Sequence, residues 1–110
     1  MSYDMAPFGP VVFRYTDAQA VEDGVLVDVS AMNLRFQGKP LNRVTRAVWD
    51  ELLPFARVLV PDDDTEAMRE MLATKLGTAG LRDDIVQVPP GYWLMENEVQ
   101  GWTLMKPEDY

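Results

Sequence analysis

A chain of 110 residues, 47% hydrophobic and 25% charged, has the length of one domain and can bury a core, with about 6,200 Å² of surface folded against about 18,000 Å² unfolded. It contains neither cysteine nor histidine, which excludes disulfides, thiolate metal sites, thiol nucleophiles and the imidazole that commonly serves as zinc ligand or neutral-pH base. The net charge of −8 is concentrated late in the chain: residues 1–60 balance at −1 and residues 61–110 at −7, a distribution that repels phosphate and attracts cationic partners.

Residues 1–10 contain Pro7, Gly9 and Pro10 and read as an irregular lead-in, acidic and without the apolar stretch of a signal peptide. Val11–Tyr15 is β-branched and aromatic and predicts a strand. Thr16-Asp17-Ala18-Gln19 has the spacing of a capping box, opening a short helix over Asp17–Asp23 with Ala18 and Val21 inward and Gly24 as its stop. Val25–Val29 follows as an extended segment with Val25, Val27 and Val29 on one face. Ser30–Phe36 suggests a helical turn closed by Gly38 and Pro40.

Val44–Pro54 predicts the second helix. Val48, Trp49, Leu52 and Leu53 form its apolar stripe, and Pro54 is expected to end it. Val58–Val60 is too short to assign. The longest helix is expected to begin within Asp62–Asp64 and run through Leu76 to Gly77, with Met68, Met71, Leu72 and Leu76 inward and Asp63 and Glu66 at capping-box spacing. Gly77 and Gly80 punctuate the chain, and Ile85–Val88 reads as a strand. Tyr92–Met95 and Trp102–Met105 then pair antiparallel around Glu96–Gly101. The order β–α–β–α–α–β–β–β lacks strict βαβ alternation, so the expected fold is a single α+β domain over residues 1–110, mostly antiparallel sheet with about three helices. No apolar run reaches the length of a membrane span.

Few residues fit a known chemistry. Asp62-Asp63-Asp64-Thr65-Glu66 resembles the start of a calcium loop, but Ala67 and Ala73 stand where such a loop needs its glycine and its bidentate glutamate. Acids at that point are accounted for by the unpaired amides of a helix start. Glu22, Asp23 and Asp28 offer carboxylates for acid–base or metal chemistry, yet their spacing does not force them together, and Asp23-Gly24 is ordinary helix-exit chemistry. Ser30 lacks both a nucleophile-elbow setting and a histidine to activate it, and neither a dinucleotide nor a P-loop glycine pattern occurs. No catalytic residue, metal ligand or cofactor is therefore assigned. The bases between Arg35 and Arg57 are not interleaved with aromatics, and with the overall sign of the charge they argue against direct nucleic-acid contact. Tyr92-Trp93-Leu94-Met95 places bulky groups on both faces of one strand, so either both faces are covered or Trp93 and Met95 (or Tyr92 and Leu94) meet a partner.

The segment Phe13-x-Tyr15-Thr16-Asp17-Ala18-Gln19-Ala20-Val21-Glu22-Asp23-Gly24-Val25-Leu26-Val27-Asp28-Val29 resembles the opening of a small-domain family of phage, plasmid and other mobile-element genomes. Thr45–Trp49 is similar to that family's next recurring block, and Trp102–Asp109 to its closing strand and tail. The resemblance spans roughly a third of the chain, and residues 55–90 depart from it. The family has no assigned activity, so it lends no catalytic residues. It implies a setting in which small acidic proteins act as counter-defence factors of the anti-CRISPR or anti-restriction kind.

Together these observations point to a non-catalytic acidic binding protein of the cytoplasm that occupies a basic, nucleic-acid-binding surface of a host protein or ribonucleoprotein complex. The expected contacts are Asp62, Asp63, Asp64, Glu66, Asp83, Asp84, Glu96, Glu98 and Trp93, with aromatic anchors supplying most of the affinity. The competing expectations are a carboxylate or metal-dependent enzyme centred on Asp23 and Asp28, and a structural module that self-associates, as a homodimer for example, through Tyr92–Met105.

Overall fold

The structure is a computed structural model that describes residues 16–82 and 85–109, so the predicted lead-in, the strand expected at Val11–Tyr15, and Asp83 and Asp84 lie outside the described residues. Helix α1 (Asp17–Glu22) opens as its capping box requires: the Thr16 hydroxyl accepts the Gln19 amide at 3.2 Å while the Gln19 side chain accepts the Thr16 amide at 3.4 Å. Its buried residue is Ala20 with Val21 half-buried, whereas Ala18, expected inward, is exposed. Asp23 caps the helix, and Gly24, at a φ of +79°, turns the chain into β1 (Leu26–Asp28).

The helical turn expected over Ser30–Phe36 ends at Met32. Asn33 adopts a left-handed conformation (φ 57°) that stops it, and β2 (Arg35–Phe36) then forms a hairpin with the start of β3 (Lys39–Thr45). Gln37 and Gly38 at the hairpin tip have φ values of 50° and 83°, the paired left-handed residues of a two-residue turn. Strand β3 extends through Val44 and Thr45, so α2 (Arg46–Leu59) starts later than expected, with Thr45 as its cap. Pro54 does not end it. A proline inside a helix forfeits one backbone bond, but Leu52 and Ala56 on either side of it are buried in the core, and that packing carries the helix across the gap. Helix α3 (Asp64–Leu76) begins and ends where predicted, with Met68, Leu72 and Leu76 buried beside Ala67 and with Met71 half-buried.

The remaining strands are β4 (Gly80–Arg82), which apolar patterning did not reveal, β5 (Ile85–Val88), β6 (Tyr92–Glu96) and β7 (Trp102–Met105). The seven strands form one sheet in the order β1-β3-β7-β6-β5-β4, with β2 attached to β3. Among the described residues every pairing is antiparallel except β3 with β7. The expected pairing of β6 with β7 is present, Leu94 opposite Leu104 and Trp93 opposite Met105. The fold is therefore α+β, three helices on a mostly antiparallel sheet, and none of these helices is long and apolar enough to cross a membrane.

One face of the sheet, carrying Leu41, Val44, Val88, Tyr92, Leu94 and Leu104, packs beneath α2 and α3 and forms the core with Val48, Leu52, Met68 and Leu72. Ala20, Leu26 and Met105 are buried outside this cluster. A register shift at Asn42 accommodates a polar knot between β3 and the β6–β7 connection: Asn97 donates to Asn42 Oδ1 at 2.7 Å and to Thr103 Oγ1 at 3.1 Å, and its own carbonyl accepts the Val99 and Gly101 amides.

Candidate interaction surface

Residues 48, 52 and 56 of α2 recur every fourth position and form its buried face, as an amphipathic helix packed on a sheet requires. Beyond Pro54 the helix carries more apolar surface than that face uses. Phe55, Val58 and Leu59 are 64%, 78% and 57% exposed, and their i, i+3, i+4 spacing joins them into a ridge along one flank. Arg57 points elsewhere. Two positions from both Phe55 and Leu59, it faces α3, where its Nε and Nη2 fork onto the two carboxylate oxygens of Asp64 at 2.9 and 2.8 Å. The ridge therefore occupies the flank of α2 away from that fork.

The acidic segment predicted to bind a partner follows directly. Asp63 caps α3, its carboxylate accepting the Glu66 amide at 3.1 Å; Asp64 and Glu66 lie in the first turn, where they offset the helix dipole. Hydrogen bonding from Arg57 holds the Asp64 carboxyl below the usual carboxylate range. Glu66 is 4.0 Å from Arg69 at the edge of ion-pair distance, and Asp62 is exposed in the connecting turn. The segment thus has a structural role at the start of α3, with Asp62, Asp63 and Asp64 all exposed just after the end of α2.

The other predicted contacts lie on different elements. Glu96 pairs with Lys39 at 2.8 Å, and Lys39 in turn lies 5.8 Å above the Trp102 ring. Glu98 accepts the Asp17 amide at 3.4 Å. Trp93 and Met95 are half-buried on the face of β6 away from the core, whereas Tyr92 and Leu94 are inside it. The structure brings Asp62, Asp63, Asp64 and Glu66 together and leaves Glu96, Glu98 and Trp93 on the β6–β7 hairpin. The sequence expectation that Pro54 ends the helix leaves Val58–Val60 unassigned and Phe55 outside any element, so it does not join Phe55, Val58 and Leu59 into one face. Their helical spacing, continued past the proline, is the signal that reveals them.

Of the carboxylates considered for catalysis, Asp28 is engaged in holding the fold. Arg43 forks onto Asp17 at 2.8 and 2.7 Å, reaches Asp28 at 3.1 Å and also donates to the Asn42 carbonyl. Asp28 accepts both the amide and the hydroxyl of Ser30, and these bonds, with the charge of Arg43 adding to them, depress its carboxyl below its ordinary value. A general base needs a carboxylate raised toward neutrality, and Asp28 is shifted the other way. Glu22 and Asp23 are exposed, and among the described residues no group of three acids converges to hold a metal ion. Because its folded pKa lies below its unfolded one, Asp28 contributes stability above the unfolded value that is lost as pH falls through the folded one. Urea titrations at pH 7 and pH 3 are therefore expected to show a smaller acid-induced loss in Asp28→Asn than in wild type.

Comparison with protein-family models, with curated proteins and with solved structures finds no match to this chain.

Proposed function

We propose that the protein is a non-catalytic binding protein of a mobile element, a counter-defence factor that occupies a basic nucleic-acid-binding surface of a host complex. The observation that carries the proposal is the exposed ridge Phe55, Val58 and Leu59 at the end of α2, followed along the chain by the exposed carboxylates of Asp62 and Asp63. Apolar anchors supply affinity in a water-excluded centre, while surrounding acids steer a cationic partner and set the on-rate. Such a contact demands neither an imidazole nor a thiol. The resemblance of the Phe13–Val29 segment to mobile-element proteins supports the setting, and the excess of acids after residue 60 supports the sign of the partner.

The test uses the immobilised protein and its Phe55→Glu/Val58→Glu variant on a nuclease-treated bacterial extract. Both side chains are exposed, so the variant is expected to fold with a stability within about 1 kcal/mol of wild type. The expected result is a captured nucleic-acid-binding protein that the variant binds at least about 30-fold more weakly, as loss of a hot spot implies. Duplex DNA displaces that protein, and raising salt from about 0.05 to 0.5 M weakens its capture. A partner held equally by both proteins, or indifferent to DNA and salt, overturns the proposal.

A further inference from the structure

The three helices are not started in the same way. Helices α1 and α3 carry acids in their first turns, Asp17 in one and Asp64 and Glu66 in the other. Helix α2 is the longest at 14 residues, yet it has no acid in its first turn and begins with Arg46, whose charge opposes the positive end of the helix dipole. Its cap is also long, the Val48 amide lying 3.4 Å from Thr45 Oγ1.

The missing negative charge arrives from the far end of the chain. In the 3-10 turn Pro107–Asp109, the Asp109 carboxylate accepts the Thr45 hydroxyl at 2.8 Å and the Lys106 amide at 3.1 Å, while the Asp109 amide returns to the Lys106 carbonyl at 2.8 Å. A hydroxyl has one proton to give. Donating it to Asp109 commits Thr45 Oγ1 to the acceptor role, with its lone pairs left for the Val48 amide. The same turn grips α2 a second time: Lys106 Nζ lies 2.9 Å from Glu51 and 3.4 Å from Glu108. The Arg46 amide is fixed separately by the Val25 carbonyl at 2.8 Å, so the first amides of α2 depend on groups outside the helix.

We propose that Lys106–Asp109 is a strap that closes the first turn of α2, with Asp109 acting as a remote cap, and that releasing it frays this turn while α3 stays folded. Amide hydrogen exchange in the full-length protein tests this directly. In Asp109→Ala the amides of Val48, Trp49 and Asp50 are expected to exchange about tenfold faster, the size of a lost cap, with the amides of residues 68–72 unchanged. Glu22→Gln, at an exposed position of α1 outside the strap, is expected to leave both sets unchanged. Should Asp109→Ala fail to fold, Asp109→Asn keeps the acceptor oxygen and removes the charge, and a smaller acceleration confined to residues 48–50 carries the same conclusion. Unaltered exchange at residues 48–50, or equal acceleration in α2 and α3, overturns the strap.

Discussion

Substituting alanine for Gly101 is expected to lower stability by about 3 kcal/mol, or roughly 15 °C in Tm, although the change adds a single carbon. The reason is space rather than backbone freedom. A Cβ at this position would stand 2.5 Å from Asn42 Nδ2 and 2.6 Å from the Pro40 carbonyl oxygen. Neither neighbour can yield cheaply, because the Pro40 oxygen is backbone of β3 and the Asn42 amide is held by the Val99 carbonyl at 3.2 Å and by Asn97. The strain would open the polar knot that ties the β6–β7 connection to β3 and leave the buried Asn42 and Thr103 short of partners. Gly91→Ala is the control, since a Cβ there meets nothing within 4 Å, and its melting curve is expected to overlay that of wild type within experimental scatter.

The second large effect is expected at Arg43. Its side chain is 12% exposed and that of Asp17 is 9% exposed, so Arg43→Met leaves a nearly buried carboxylate facing a thioether. Breaking a buried ion pair from one side is expected to cost about 3 kcal/mol, most of it the burial of the surviving charge. That origin is checkable in a double-mutant cycle. Arg43→Met together with Asp17→Asn removes the stranded charge, so the pair is expected to cost less than the sum of the single changes by more than about 1 kcal/mol, read from urea midpoints at constant slope. Strict additivity would show that the fork contributes little to fastening α1 to the sheet.

Where a feature depends on residues close in the chain, it was legible. The capping box at Thr16 and Gln19, the start of α3 at Asp63 and the antiparallel pairing of β6 with β7 each follow from side chains a few positions apart, and each is present. What escaped depends on distant partners. Pro54 is a local helix breaker that tertiary packing of Leu52 and Ala56 overrides, and only with the helix continued past it do Phe55, Val58 and Leu59 share a face. Gln37-Gly38 lacks the common asparagine–glycine signature of a tight hairpin, so β2 and the start of β3 were read as a turn and its punctuation. The short edge strand Gly80–Arg82 has three exposed residues and hence no alternation to detect. Of the expected partner contacts, the 62–66 segment is continuous in sequence and holds together in space, whereas Glu96 and Glu98 are near it only in sign of charge, their side chains being taken up by Lys39 and the Asp17 amide.

The position of β7 has a consequence for how the protein is made. Strand β7 lies between β3 and β6 and joins β3 in the one parallel pairing among the described residues, with residues 46–101 intervening between the two strands. A polypeptide emerging from the ribosome can assemble the α2–α3 hairpin and the β5–β6 ribbon early, but the two halves of its sheet have no shared seam until residues 102–105 leave the exit tunnel. Until those residues emerge, the nascent chain displays the unpaired edges of β3 and β6 to whatever chaperones attend it.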